Sequence, residues 1–235
     1  MQEVIFPAAL ALRALRAASY KNTAHALAEL IDNSFDADAT DIGVALLVEE
    51  ESSEPRTIAV LDNGRGMETE KLKKCVQYGF SGQDSALKKP LGKFGVGLVA
   101  ASFSQCSSLE VMSWQKSEAA SGSVMCTRIS VPDGEMQDKD NILPSPTLKK
   151  LPSWTARAFF GMATPIGEME SGTLVIWRDV DSSWKQAKTL RKNLGDLCGR
   201  IYRNFLVNGR LNITTRVFDL TSNKTVDGPE TIPAV

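Results

Sequence analysis

The chain has 235 residues, of which 43% are apolar and 23% are charged, and its formal net charge is −1. This composition excludes a chain that is disordered throughout and suits one large domain, or one domain and the start of another. No apolar run reaches the roughly 18 residues that a membrane-spanning helix needs, so we expect no membrane partner.

The charges are divided unevenly along the chain. Residues 1–147 carry 14 Lys and Arg against 20 Asp and Glu, whereas residues 148–216 carry 12 against 5. Such an imbalance can mark a surface that faces nucleic acid. A solvated basic face is the simpler interpretation, because no aromatic–basic motif accompanies it, and both interpretations stay open.

The few cysteines and the single histidine argue against a zinc site. Cys75, Cys106, Cys126 and Cys198 form no CxxC pair, and His25 is the only histidine. So few cysteines in a chain of this length are typical of a reducing compartment. We therefore expect an intracellular protein, in the cytoplasm or the nucleus.

Periodicity and turn residues predict a mixed order of helices and strands. In chain order we predict helices at 8–19 and 22–36, strands at 41–49 and 56–61, a helix at 67–79, a polar loop at 79–92, a helix at 94–106, strands at 109–114, 123–131 and 173–180, a basic amphipathic helix at 184–206 and a strand at 210–218. This order favours an α+β two-layer sandwich over a doubly wound fold.

Three segments of the chain do not fit this pattern simply. The apolar, Arg-bearing start also fits a transit peptide, but Arg13 and Arg16 at helical spacing favour an amphipathic helix. Residues 132–170 follow no clear pattern. Residues 221–235 are interpreted as a linker or the start of a following domain, which would leave one domain at 1–220.

The predicted helix at 22–36 carries polar groups among its apolar residues. In AHALAELIDNSFDA, Glu29 and Asn33 lie one turn apart and therefore share a face. Asp32 and Asp38 are interpreted as surface or capping acids. His25 lies one turn before Glu29, where it would either orient that carboxylate or remain an inconsequential surface histidine.

Three glycine-containing segments complete a pattern with this helix. DNGRGM at 62–67 follows a strand, GKFGVG at 92–97 opens a helix, and SGTLVIW at 171–177 is a strand that begins near Thr173. A glycine loop before a helix suits a phosphate group, because backbone N–H groups can approach the anion closely. Each segment alone is a weak signal.

Together, in this order, the four segments resemble the GHKL superfamily of ATPases, which includes gyrase B, the ninety-kilodalton heat-shock chaperones, histidine kinases and MutL. The resemblance covers roughly residues 8–220. ALAELIDNSFDA, with YGFSG after the second motif, is most similar to MORC-type ATPases and their prokaryotic relatives. The resemblance implies the Bergerat fold, in which a mixed, mainly antiparallel sheet is covered on one face by helices.

The resemblance also implies a role for each motif residue. Glu29 would be the general base that activates water, with His25 beside it, and Asn33 would be the Mg²⁺ ligand. Asp62 would accept the adenine amino group with support from Thr173. The residues implied in binding ATP are Asn33, Asp62, Gly64, Gly66, Met67, Gly92, Lys93, Phe94, Gly95, Val96, Gly97 and Thr173.

The function implied is Mg²⁺-dependent binding and slow hydrolysis of ATP. Residues 79–92 would form a lid that closes over the nucleotide, and residues 1–20 would promote an ATP-dependent homodimer that acts as a clamp. The alternative is an ATP-gated binding module with negligible hydrolysis that recruits a partner, with DNA as a candidate for the basic region 148–216.

Overall fold

The computed structural model describes residues 20–50, 52–77, 79, 97–116, 123–130, 143–181 and 186–235. The helices are α1 (Thr23–Asp36), α2 (Thr69–Cys75), α3 (Gly97–Phe103), α4 (Thr155–Ala158), α5 (Ala187–Ile201) and α6 (Arg203–Val207), with a 3₁₀ turn at Ile166–Glu168. The strands are β1 (Asp41–Val48), β2 (Thr57–Asp62), β3 (Cys106–Trp114), β4 (Val124–Ser130), β5 (Thr147–Lys149), β6 (Gly172–Val180), β7 (Asn212–Asp219) and β8 (Lys224–Thr231).

The eight described strands form one mixed sheet in the order β5-β4-β3-β6-β2-β1-β7-β8. Neighbouring strands are antiparallel except β1 and β7, which run parallel with Asp41 opposite Asn212. The predicted α+β class and the mixed, mainly antiparallel sheet are therefore confirmed.

The longest helices lie on one face of the sheet, as predicted. In α1, Leu27, Leu30, Ile31 and Ser34 recur at the spacing of one helical face and are buried. They join α3 and α5 over the side chains of β1 and β2 that point to this face. Asn22 caps the N-terminus of α1, because its side chain accepts a hydrogen bond from the backbone N–H of His25.

The opposite face of the sheet is covered by an irregular segment within the region that had no clear pattern. Ala158, Phe159, Met162 and Met169 pack there against alternate residues of the central strands. Every residue of β1 and of β2 is consequently buried, as in strands with both faces covered. The side chains of Phe159 and Met162 pack directly on Gly43 of β1, where an added Cβ would lie 2.6 Å from each of them.

The structure differs from the sequence interpretation toward the end of the chain. The predicted helix at 184–206 is two helices that meet at Tyr202, where ψ is 12°. Residues 221–235, interpreted as linker-like, contain strand β8, which pairs with β7 at the sheet edge. Arg191 of α5 forms ion pairs with Asp227 and Glu230 of β8 and ties that strand to the helical layer.

Candidate functional site

A pocket opens on the helix-covered face between α1, the turn after β2, and helices α2 and α3. Its walls combine apolar side chains with a few polar groups, the usual composition of a small-molecule site. The residues that line it are Leu30, Asn33, Ser34, Asp36, Ala37, Asp62, Arg65, Gly66, Met67, Lys71, Cys75, Leu98, Val111, Thr173 and Val175.

The carboxylate of Asp62 lies at the inner end of this pocket. The residue is only 4% exposed. Its Oδ1 accepts a hydrogen bond from the N–H of Gly64 at 2.9 Å, and its Oδ2 accepts one from the hydroxyl of Ser34 at 2.9 Å. Burial raises the pKa of Asp62 to about 6, although the hydrogen bonds from Gly64, Ser34 and the backbone of Thr173 oppose the rise.

Three polar side chains form a row across neighbouring strands at this end of the sheet. The register places Asp62 of β2 opposite Thr173 of β6, and Thr173 opposite Ser113 of β3. The hydroxyls of Ser113 and Thr173 are 3.1 Å apart, and the Ser113 hydroxyl accepts a hydrogen bond from the backbone N–H of Met67. Thr173 thus lies beside Asp62, while Ser113 holds the turn that carries Met67.

The turn at 62–67 needs glycine at two positions because other backbone lies close by. Gly66 has φ of +67°, and an added Cβ would lie 2.0 Å from the carbonyl oxygen of Trp114. At Gly64 a Cβ would lie 2.9 Å from the carbonyl oxygen of Ala37. Asn63 ties the turn to the start of β1, because its Oδ1 accepts hydrogen bonds from the N–H groups of Thr40 and Asp41.

Asn33 of α1 lines the pocket, and Glu29, one turn earlier on the same helix, lies beside the start of α3. A Cβ added at Gly97 would lie 2.8 Å from Oε2 of Glu29, so the carboxylate lies against the first residue of α3. Burial, and secondarily the charge of Asp32, raises the pKa of Glu29. Asn33 is exposed, and its side chain has no hydrogen-bond partner within the described part of the chain.

His25 has a partner other than the one that its spacing predicts. Its Nδ1 lies 2.8 Å from Oδ1 of Asn22, the N-cap residue of α1. Within the described ranges, no hydrogen bond joins His25 to Glu29. The geometry therefore gives His25 a contact at the start of the helix, and its role in orienting Glu29 stays a prediction.

The glycine loop and most of the predicted lid fall outside the described residues. This applies to Gly92, Lys93, Phe94, Gly95 and Val96, and to residues 79–92 apart from Gly79. Gly97, the last residue of the motif, begins α3. Within α3 the hydroxyl of Ser102 accepts a hydrogen bond from the indole N–H of Trp177 at 2.8 Å, which anchors the helix to β6.

Two residues of the site, Ser34 and Ser113, were not singled out by the sequence analysis, and the interpretation of Asp32 differs from its place in the structure. Ser34 interrupts the apolar face of α1, and this polar residue at an apolar position was an available signal. Ser113 likewise follows the inward-facing Leu109 and Val111 of β3. Asp32, interpreted as a surface acid, instead accepts a hydrogen bond from the buried Tyr202 at 2.6 Å, and nothing local in the sequence announces that partner. Asp38 does lie at the surface and pairs with Arg65.

Within the described ranges, no helix combines the length and the apolar character that crossing a membrane demands.

The chain matches a protein-family profile. The profile described as "Histidine kinase-, DNA gyrase B-, and HSP90-like ATPase" matches residues 20–152, more than half of the chain. The matched range includes Glu29, Asn33, Asp62 and the glycine loop, and it ends before Thr173.

Two curated relatives match a shorter part of the chain. ATPase MORC2B of Mus musculus is 38% identical over 77 residues, which is 33% of this chain and 8% of that protein. Protein MICRORCHIDIA 7 of Arabidopsis thaliana is 37% identical over 84 residues, which is 34% of this chain and 12% of that protein. The matched part of this chain thus spans only a small fraction of either relative.

Solved structures match over almost the whole chain at low identity. The N-terminal domain of a DNA repair protein has a TM-score of 0.56 at 15% identity, and the match covers 95% of this chain and 55% of that one. The MutL ATPase domain of Aquifex aeolicus complexed with ADP has a TM-score of 0.48 at 19% identity, covering 92% and 65% respectively. The first likeness shows a shared fold.

Proposed function

The chain belongs to the family of histidine kinase-, DNA gyrase B- and HSP90-like ATPases, and from that membership we propose that it binds ATP with Mg²⁺ and slowly hydrolyses the ATP to ADP and phosphate. The observation that carries the proposal is the buried carboxylate of Asp62 at the inner end of a pocket beneath the helix that bears Glu29 and Asn33. The Mus musculus relative, an ATPase by name, supports the same activity.

The surroundings of Asp62 support recognition of an adenine base. The carboxylate already accepts hydrogen bonds from Gly64, Ser34 and the backbone of Thr173, and its two oxygens, with about four acceptor positions between them, retain capacity for another. An ionised carboxylate accepts but does not donate, so it selects a ligand edge with an amino group over one with a keto oxygen. Apolar side chains such as Met67 and Val175 supply surfaces for the base.

Glu29 is proposed as the general base. Its carboxylate would take a proton from the water that attacks the γ-phosphate of ATP. Its raised pKa strengthens it as a proton acceptor, because catalytic bases work best when their pKa lies near the working pH. Its place against Gly97, the last residue of the predicted phosphate loop, would put it near the phosphate end of the site.

Asn33 fits the predicted Mg²⁺ ligand by its chemistry and by its available side chain. Mg²⁺ prefers oxygen ligands and keeps several of its waters, so a single amide oxygen suffices from the protein. The bound metal would neutralise charge on the phosphate oxygens. Asn33 lies four residues after Glu29, about 6 Å along the helix axis and on the same face, which keeps the base and the metal ligand side by side.

We extend the proposal to the movement of the chain. Residues 79–92 would close over bound ATP, and Gly92, Lys93, Gly95 and Gly97 would contact its phosphates. Residues 1–20 would then promote a homodimer that opens after hydrolysis. The support for these steps is the resemblance of the motifs to the family, and gel filtration with light scattering, with and without a non-hydrolysable ATP analogue, tests the dimer.

Calorimetric titration with Mg·ATP tests the proposal first. We expect the wild type to bind, Asp62→Asn to lose binding, and Glu29→Ala to bind with wild-type affinity while losing phosphate release in a coupled assay. Asp196→Asn, at an exposed acid of α5 remote from the pocket, is the matched control for loss of a charge. Binding without turnover by the wild type would contradict hydrolysis, and no binding would contradict both parts.

A second candidate is an ATP-gated module that binds DNA and hardly hydrolyses ATP. Five exposed basic residues favour it, and within the described ranges none of them forms an ion pair; they are Lys188, Lys192, Arg200, Arg203 and Arg210. Fluorescence anisotropy with a labelled DNA duplex measures the affinity of the protein for DNA. We expect affinity to fall steeply between about 50 and 200 mM salt, in proportion to the number of phosphates contacted. Affinity that is flat across this range would exclude the candidate.

A further inference from the structure

The junction between α5 and α6 contacts the helical turn that carries Glu29. Tyr202 lies between α5 and α6 as the C-cap residue of α5, and it is only 2% exposed. Its hydroxyl lies 2.6 Å from Oδ1 of Asp32 and 3.1 Å from the carbonyl oxygen of Ala28. Both acceptors belong to one turn of α1, and Glu29 lies within that turn.

Backbone hydrogen bonds fix the main chain at Tyr202, and burial restricts its ring. Its N–H donates to the carbonyl oxygen of Cys198 at 2.9 Å, and its own carbonyl accepts hydrogen bonds from the N–H groups of Phe205 and Leu206. A tyrosine fixed in this way at a helix junction loses little further freedom when its hydroxyl pairs. The contact with α1 is therefore well suited to holding a neighbouring turn at one position.

A second contact between the same elements supplies a natural comparison. The ring of Phe205 lies 4.6 Å from that of Phe35, measured between centroids, with the planes tilted by 57°. This contact holds the end of α1 by packing alone, one turn and more beyond Glu29. Tyr202 differs, because it adds a directional bond to the turn that contains the proposed base.

We propose that Tyr202 is a positioning residue for Glu29. By binding Asp32 and Ala28 it fixes the turn at 28–32, which keeps the Glu29 carboxylate against Gly97. The proposal rests on the proposed function, in which Glu29 is the general base. Reacting groups must be held closely, since a displacement of about 1 Å can cost on the order of a hundredfold in rate.

The first test compares Tyr202→Phe with Phe205→Leu. Tyr202→Phe keeps the ring and removes only the hydroxyl, and we expect kcat for ATP hydrolysis to fall about tenfold while KM and ADP affinity change by less than about twofold. Phe205→Leu should change kcat by less than about twofold. Equal kcat values for wild type and Tyr202→Phe, or equal losses in the two variants, would overturn the proposal.

A double-mutant cycle tests whether Tyr202 acts through Asp32. We expect Tyr202→Phe to lower kcat less in Asp32→Ala than in the wild type, because the shorter contact of the hydroxyl is already absent and only the contact with the Ala28 carbonyl remains to be lost. Full additivity of the two losses in log kcat would show that the residues act independently and would overturn this route of action.

Amide hydrogen exchange gives an outcome that does not depend on turnover. Tyr202→Phe should speed exchange at residues 28–33 and leave β1 and β2 unchanged, whereas Phe205→Leu should not alter the turn at 28–32. If the wild type binds ATP but does not hydrolyse it, the proposed hydrolysis fails alone, and exchange decides whether Tyr202 holds this turn. Unchanged exchange in Tyr202→Phe would overturn the positioning role in either case.

Discussion

Asp62 is a carboxyl group whose titration lies close to physiological pH. Burial raises its pKa to about 6, well above the ordinary value of 3.8. The folded, ligand-free protein therefore binds this proton more tightly than the unfolded chain does. The contribution of this proton to the free energy of unfolding is fully present below about pH 4 and is lost as pH rises through about 6. A ligand amino group that donates to the carboxylate favours the opposite, ionised form.

From this titration we expect ADP binding to weaken in acid. Between pH 7.5 and 6.5 the dissociation constant should change little, and below pH 6 it should rise by about tenfold per pH unit. Calorimetry in buffers of matched ionic strength measures it. Glu29→Ala should follow the same curve, since Glu29 is proposed to contact the reacting water rather than the base. A flat affinity from pH 7 to 5 would contradict an ionised Asp62 as the acceptor.

At Gly66 the backbone leaves no room for a side chain. Gly66→Ala places a Cβ 2.0 Å from the Trp114 carbonyl oxygen on a residue with φ of +67°. We expect the free energy of unfolding to fall by about 3 kcal/mol, because overpacking and the left-handed backbone both cost energy. Urea denaturation measures the loss. Gly167→Ala is the control, since no atom of the described residues lies within 4 Å of its added Cβ, and equal stabilities of the two variants would contradict the prediction.

At this scale the sequence identifies residues that carry their own local signal. Asp62 lies in a glycine-rich turn, and Glu29 and Asn33 share one helix face, so each could be singled out from the sequence, and their roles stay predictions. Ser113 becomes part of the site only through the register of β3 on β6, and Tyr202 only through the position of the α5–α6 junction on α1. Those partners are fixed by packing between residues 60 or more positions apart, which no local pattern encodes.

Helix α5 contains two glycines with opposite surroundings. In the part of the chain that the structure describes, no atom lies within 4 Å of a Cβ added at Gly195, so Gly195→Ala should raise the free energy of unfolding by about 1 kcal/mol through helix propensity. At Gly199 an added Cβ would lie 2.6 Å from the carbonyl oxygen of Pro233, so Gly199→Ala should destabilise the protein. Urea denaturation of both variants measures the two free energies of unfolding. A change of the same sign in both variants would contradict the prediction.

Elements with strong periodicity were predicted to within a few residues, and the others were missed. Helix α1 and strands β1 and β2 have apolar patterns that match their burial. Strand β8 has none, because six of its eight residues are exposed, and its strand conformation depends on pairing with β7. The break between α5 and α6 also has no signal in the sequence, because the basic amphipathic pattern continues across Tyr202.

At the scale of the whole molecule, the C-terminal residues complete the sheet. Removing residues 221–235 would expose the edge of β7, leave Arg191 without Asp227 and Glu230, and uncover Gly199. We expect the shortened chain to have a lower thermal midpoint and to aggregate on heating. Differential scanning calorimetry measures this, with Val226→Thr as the control for a local change on β8. An unchanged midpoint would mean that β8 adds no stability.

The overall architecture was predictable because its strands and helices are mostly marked by local patterns, and their order suits few alternatives. The cover on the second face was not, because Phe159, Met162 and Met169 lie in a segment without periodicity. Such a segment takes its shape from the sheet beneath it. Sequence patterns predicted the helical layer well and gave no account of the opposite one.

The parallel pairing of β1 with β7 has a consequence for how the chain is made. β1 emerges from the ribosome about 170 residues before its partner, since Asp41 lies opposite Asn212. Until then one edge of β1, a strand that is buried along its whole length in the folded protein, has no neighbour. Long-range pairing of this kind slows folding and leaves a nascent chain open to association with other chains. Synthesis of this protein should therefore depend on general chaperones that shield the edge of β1 until the last strands arrive.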